Sequence, residues 1–135
     1  MTDDAFLDAF ERCRLPREAW THAAHVRMAW LSLRRGRIGD VIPAVRERIG
    51  RLNLALGGPP DAYHETITVA YLRLIDVRIS REPGVDTFDD FASRNPDLLD
   101  RTLAALLVHY RKETLLGPEA RAGFVEPDLS PLPGP

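Results

Sequence analysis

The stretch Trp20-Thr21-His22-Ala23-Ala24-His25-Val26-Arg27-Met28-Ala29-Trp30-Leu31-Ser32-Leu33 decides the reading of this chain. It has the length and composition of a helix, with apolar residues on nearly every side. A surface helix confines its apolar residues to one stripe, whereas a helix that is apolar all round is buried among others. Yet His22 and His25 stand in it at the spacing that puts two side chains on one helical face. A buried imidazole needs a hydrogen-bond partner, a water or a metal, because an unpaired buried polar group costs roughly 1–3 kcal/mol.

Before this stretch, Thr2 or Asp3 can cap a first helix, with Phe6, Leu7 and Phe10 as its apolar stripe and an end near Cys13. Leu15-Pro16 interrupts it. The central helix then begins either at Pro16, which would make Glu18 helical, or at Thr21 as N-cap. Arg34 and Arg35 followed by Gly36 read as its stop. Beyond it, Asp40 is positioned to cap a third helix, with Pro43 in its first turn and Val41, Val45, Ile49, Leu52 and Leu56 as one face. Gly57-Gly58-Pro59-Pro60 ends that helix. Asp61 then caps a fourth, from Ala62 to about Arg81, with the stripe Tyr63, Ile67, Ala70, Tyr71 and Leu74.

Residues 82–96 read as a linker with one short helical turn at Thr87–Ser93. A last helix, from Asp97 to about Thr114, is expected to bury Leu99, Leu103, Leu106, Leu107 and Tyr110. After Gly117 there is room for one more helical turn. Pro127, Pro131, Pro133 and Pro135 then forbid helix and predict an extended tail on the surface. No strand alternation, internal repeat or heptad run is present. The expected fold is all-α: a compact bundle of about five helices over residues 1–122, with an extended proline-rich tail over residues 123–135.

Composition narrows the function classes. At 135 residues the chain makes one domain, and its 44% hydrophobic and 28% charged residues are ordinary for a soluble globular protein. A formal net charge of −2 supplies no basic field for nucleic acid. Arginines make up seventeen of the eighteen basic residues, with Lys112 the exception, which reads as GC-rich codon bias rather than a binding signature. The single cysteine, Cys13, excludes an intrachain disulfide and fits a reducing, cytoplasmic setting. No apolar run reaches the ~18 residues of a membrane span, and the acidic start is not a signal peptide. A small-molecule substrate is the expected partner. No nucleic acid and no membrane are expected, and a homodimer is left open.

The residues that could carry chemistry cluster by helical angle. His22 and His25 share a face with Ala29 and Ser32, small residues that would leave space before the imidazoles. His64, beside Tyr63 and Ile67, lies near the centre of the fourth helix's stripe. Two ligands on one helix completed from another is how metal sites in helical bundles are built. His22, His25 and His64 are therefore the expected ligands of one divalent transition metal, Fe, Cu, Zn or Ni. Such a site would act on a small polar or anionic molecule through activated water or metal-bound oxygen. Glu18 is the candidate general base or fourth ligand if the helix starts at Pro16. Tyr71 is a candidate catalytic residue, and Tyr63 and Thr68 would line the substrate pocket. His109, off the expected Leu103–Tyr110 stripe, reads as structural. Two other readings stay open: the histidines as satisfied structural groups in an interaction module, and a metal-free pocket with a histidine as general base.

Three segments, Trp20-Thr21-His22-x-Ala24-His25, Tyr63-His64-Glu65-Thr66-Ile67-Thr68 and Phe124-Val125-Glu126-Pro127-Asp128-Leu129, together resemble a family of small all-α bacterial proteins usually left uncharacterised. The likeness spans nearly the whole chain. It implies a helical fold; this sequence departs from the family in its short Gly57–Ala62 loop, where a longer, glycine-rich approach to the Tyr63-His64 pair is expected. It implies no activity.

Overall fold

The computed structural model describes residues 1–134, whose regular structure is helical, with no strand among them. The helix that organises them is α2, His22–Arg35, which buries Ala24, Val26, Met28, Ala29, Trp30, Leu31 and Leu33. It starts at Thr21, whose Oγ1 accepts the Ala24 amide at 3.2 Å. Such an N-cap is worth about 1 kcal/mol over alanine. Pro16 precedes instead a separate 3₁₀ turn, Arg17–Ala19. Glu18 is therefore exposed on that turn and off the histidine face, which corrects the expectation that it joins them.

Around α2 stand α1, Asp3–Glu11, capped by Thr2, then α3, Ile38–Ala55, and α4, Glu65–Arg81. The most extensive packing is α2 on α4, with α3 closing the third side. Gly36 ends α2 in extended backbone at φ −153°. A side chain there would meet Val41 Cγ2 at 3.2 Å, so the glycine permits the close return of α3. α3 begins at Ile38, which places Asp40 in its first turn rather than at the cap and Pro43 inside the helix. Its end at Leu56 is a Schellman motif: Gly57 adopts φ +72°, its amide bonds to Leu54 O, and the Gly58 amide reaches Asn53 O at 2.9 Å. The fourth helix starts three residues later than its pattern suggests, because His64 and not Asp61 is its N-cap.

The second half departs from the expected five-helix plan. α5, Phe88–Arg94, is capped by Thr87 as its pattern indicates. The helix expected over 97–114 is broken into turns and two short pieces, α6, Ala104–Leu107, and α7, Lys112–Leu115. The cause lies at Asp100. Its carboxylate accepts both the Thr102 amide, at 2.8 Å, and the Thr102 hydroxyl, at 2.6 Å. An α-helix would have sent that amide to Leu98 O. Side chains such as Asp compete with the backbone in this way and break helices. Leu103 follows in the left-handed region at φ 64°. α8, Pro118–Ala122, ends the regular structure.

Residues 123–134 are irregular, as the prolines require, yet they do not merely lie on the surface. Leu132 is 6% exposed and belongs to the core. Buried Thr66 of α4 donates to Gly123 O and accepts the Val125 amide, and Tyr110 Oη donates to Val125 O at 2.7 Å. Asp128 accepts the Arg111 amide and the Thr114 hydroxyl, which fixes the start of α7. No helix among the described residues is long and apolar enough to cross a membrane.

Candidate functional site

Between α2, α3 and α4 lies a cavity of about 410 Å³. Its walls are mostly aliphatic: Val26, Met28 and Ala29 from α2, Val45 and Ile49 from α3, and Ile67, Leu72 and Ile75 from α4. Polar character enters through Trp20, His22, His25, Asn53, Tyr63, His64, Thr68 and Tyr71. Of the residues expected at a site, the structure brings together His22, His25, His64, Tyr63, Thr68, Tyr71 and Ala29. It leaves out Glu18, and it leaves out Ser32, which lines a separate surface hollow beside Asp4 and Arg35.

The orientation of each imidazole is set by a backbone carbonyl. His22 Nε2 donates to Leu98 O at 2.9 Å, using the carbonyl that Asp100 released from helical bonding. His25 Nδ1 donates to Thr21 O at 2.7 Å. A carbonyl can only accept, so in each neutral ring the other nitrogen, His22 Nδ1 or His25 Nε2, keeps a lone pair. Burial pushes the His25 pKa below its ordinary 6.5, which overrides the opposing pull of Thr21 O and is aided by His22. His25 is also stacked on the Trp20 indole, with ring centroids 3.7 Å apart, and Tyr71 meets His22 edge-on at 5.4 Å.

His64 plays a different part. Its Nε2 donates to Leu115 O at 2.8 Å, a carbonyl at the end of α7. Its Nδ1 accepts the Ile67 amide at 3.1 Å, which makes the ring the N-cap of α4. Both nitrogens are spent on the fold, and burial lowers its pKa as well. The expected three-histidine metal site is not seen in this geometry. His64 has no lone pair to give, and the cavity wall carries no carboxylate or thiolate in its place. Among the described residues no group of three or more His, Cys, Asp or Glu could hold a metal ion. Two imidazoles alone fall short of the three protein ligands that even open catalytic zinc sites use.

Beside the cavity, Glu65 is not solvated as its helical angle suggests. Arg46 of α3 grips it with two bonds, at 2.9 and 2.5 Å, and Tyr63 Oη donates to it at 2.5 Å. The Arg46 bonds hold the Glu65 carboxyl below the usual range, and burial together with Glu65 pushes the Tyr63 phenol up. The Tyr63 hydroxyl is thus turned to Glu65, while its residue lines the cavity. Thr68 Oγ1 donates to His64 O at 2.8 Å. Arg121 of α8 donates to Asp61 O at 2.6 Å and so ties down the loop before Tyr63.

Two polar atoms are buried with no partner, Trp20 Nε1 and Tyr71 Oη, and both residues line this one cavity. Burial drives the Tyr71 phenol pKa upward, with Asp100 and Asp97 adding to it, so its proton stays on. Trp20 and Asn53 were not expected here as site residues. The indole reads as core by composition, and Asn53 lies off the apolar face of α3, so no pattern marks either. His109 stands outside the cavity, its Nδ1 against Ser130 O at 3.0 Å, in the structural role expected for it.

No known family model, no curated protein and no solved structure matches this chain.

Proposed function

We propose that this chain is a small-molecule-binding protein whose metal-free cavity holds its ligand against the His22–His25 pair. One observation carries the reading: the cavity of about 410 Å³ between α2, α3 and α4 has a mostly aliphatic wall that Trp20, His22, His25 and Tyr71 share. A largely apolar pocket with a few convergent polar groups is the usual form of a small-molecule site. The three segments that carry the family resemblance support a shared site, since the first two line the cavity and Thr66 ties the second to the third.

The test is titration with N-phenyl-α-naphthylamine, an uncharged apolar fluorophore. Saturable one-to-one binding is expected in wild type, with at least about tenfold weakening in Ala29→Phe and Ile67→Phe, each of which fills the cavity from a different helix. Treatment with a chelator leaves binding unchanged. Binding that both variants retain, or that a chelator abolishes, overturns the reading.

A second reading, an enzyme using His25 as general base, is favoured by the anchored Nδ1 and the lowered pKa, which leave Nε2 neutral and free at pH 7. Nitrobenzisoxazole opens when one carbon-bound proton is removed, and it reports such a base directly. Turnover in wild type that is lost in His25→Gln supports catalysis; equal rates in both remove it.

A further inference from the structure

Resting on the binding reading above, we infer that the cavity selects an uncharged molecule with an apolar body and a hydroxyl-type head, one that donates a hydrogen bond. The absence of charge follows from the wall. No arginine, lysine, aspartate or glutamate lines it, and Glu65, beside the cavity, is held by Arg46 and Tyr63. An ion brought into such a cavity would lose its hydration with no opposite charge to replace it, at a cost of several kcal/mol. An anionic substrate, the expectation drawn from a metal site, therefore does not suit the cavity.

The nature of the head follows from the hydrogen bonds. His25 Nδ1 is committed to Thr21 O and His22 Nε2 to Leu98 O, so what each ring can offer the cavity is a lone pair. A lone pair must be met by an O–H or N–H on the ligand. That end of the cavity thus asks the ligand for a hydrogen. A neutral hydroxyl supplies it without a charge, whereas an ether has no hydrogen to give, a carboxylate brings acceptors with a charge, and an ammonium brings donors with a charge.

The body of the ligand meets Val26, Met28, Val45, Ile49, Leu72 and Ile75. A cavity of ~150 Å³ accommodates one benzene. The space of about 410 Å³ here suits a ring with a short alkyl chain.

The experiment compares three probes that share one propylphenyl body by calorimetric titration at pH 7.5: para-propylphenol, para-propylanisole and para-propylbenzoate. The phenol is expected to bind at least about tenfold more tightly than the other two, the scale of one well-made hydrogen bond to a buried group. In His25→Leu the preference for phenol over anisole shrinks to near unity, while the body of the molecule still binds; should that variant not fold, His22→Leu and the wild-type ranking carry the test. Equal binding of phenol and anisole, or tighter binding of benzoate, overturns the assigned class and leaves the cavity as a site. If none of the three binds while the naphthylamine does, the class is wrong in shape as well as head. If the naphthylamine also fails to bind, the binding reading itself falls.

Discussion

The α2–α4 pair and the segment from Asn95 to Gly134 are stabilised by different means. α2 and α4 are long helices whose apolar stripes face each other, so their stability is spread over many aliphatic contacts, each worth little alone. The C-terminal segment has helices of only four or five residues, too short to persist by themselves. Its buried Leu98, Leu106, Tyr110, Leu115 and Leu132 join the core, and it is held there by single polar bonds reaching far back in the chain: His22 to Leu98, His64 to Leu115, and Thr66 to Gly123 and Val125. In the first region a polar substitution meets redundancy. In the second, one atom often has no substitute. The cavity lies where the two regions meet, and its histidines take their orientation partly from carbonyls of the irregular one.

The sharpest way to break this comparison is to mutate the two histidines that look equivalent in sequence. His64→Ala removes the cap of α4 and leaves both Leu115 O and the Ile67 amide without their partner. A lost cap and an orphaned buried carbonyl together should cost about 3 kcal/mol. His25→Ala leaves Thr21 O still accepting the His25 backbone amide at 3.0 Å. Its cost should stay below about 1 kcal/mol while ligand binding suffers. Urea midpoints of the two variants measure the difference. His64→Asn, which keeps a good capping residue, should recover about 1 kcal/mol of the loss. Equal destabilisation by His64→Ala and His25→Ala would mean that the division between structural and site histidines is wrong.

A smaller effect tests the attachment of the C-terminal segment. Thr66→Val keeps the volume of a fully buried side chain but removes the hydroxyl that serves Gly123 O and the Val125 amide together. A loss of about 2 kcal/mol is expected. Hydrogen exchange should show where it falls: the Val125 and Leu129 amides lose protection, and the interior of α2 keeps its own. Uniform acceleration across both regions would show that the segment is no separate unit of stability.

The contrast also explains what could be read from the sequence. α1, α2 and α5 follow from apolar period and capping residues, and α3 and α4 from apolar period, though their starts are set by Arg37 and His64 rather than by Asp40 and Asp61. His22, His25, Ala29, Thr68 and Tyr71, grouped by helical angle, line one cavity, and Tyr63 lines it from just before α4. The helix expected over 97–114 fails because its leucines keep a helical spacing while Asp100 takes the Thr102 amide, a competition that periodicity does not register. His64 could not be separated from His25 by spacing either. Its role depends on Leu115, a residue 51 positions away whose carbonyl is left over when α7 stops. Glu65 points away from the α4 stripe by helical angle, yet Arg46 of α3 crosses over to meet it. In every case the missed information is a bond between an element and a distant backbone or side chain.

The smallest and most discriminating effect is that of pH. Burial lowers the pKa of both His25 and His64 from 6.5, so the folded chain holds these rings neutral where the unfolded chain would protonate them. The unfolded state therefore takes up more protons in the window from about 6.5 down to the lowered folded values. Stability from these rings is complete above about pH 6.5 and declines as pH falls through that window. What protonation does to each ring differs. A proton on His25 Nε2 leaves the bond from Nδ1 to Thr21 O in place, so His25 should titrate reversibly within the folded protein. A proton on His64 Nδ1 turns an acceptor into a donor facing the Ile67 amide, which breaks the cap. Histidine ring chemical shifts followed against pH, beside a global unfolding signal, separate the two. His25 should shift below 6.5 with the fold intact, and His64 should change only together with unfolding. A His64 ring that titrated in the native protein, with α4 unchanged, would remove it from the cap and return its lone pair to the cavity.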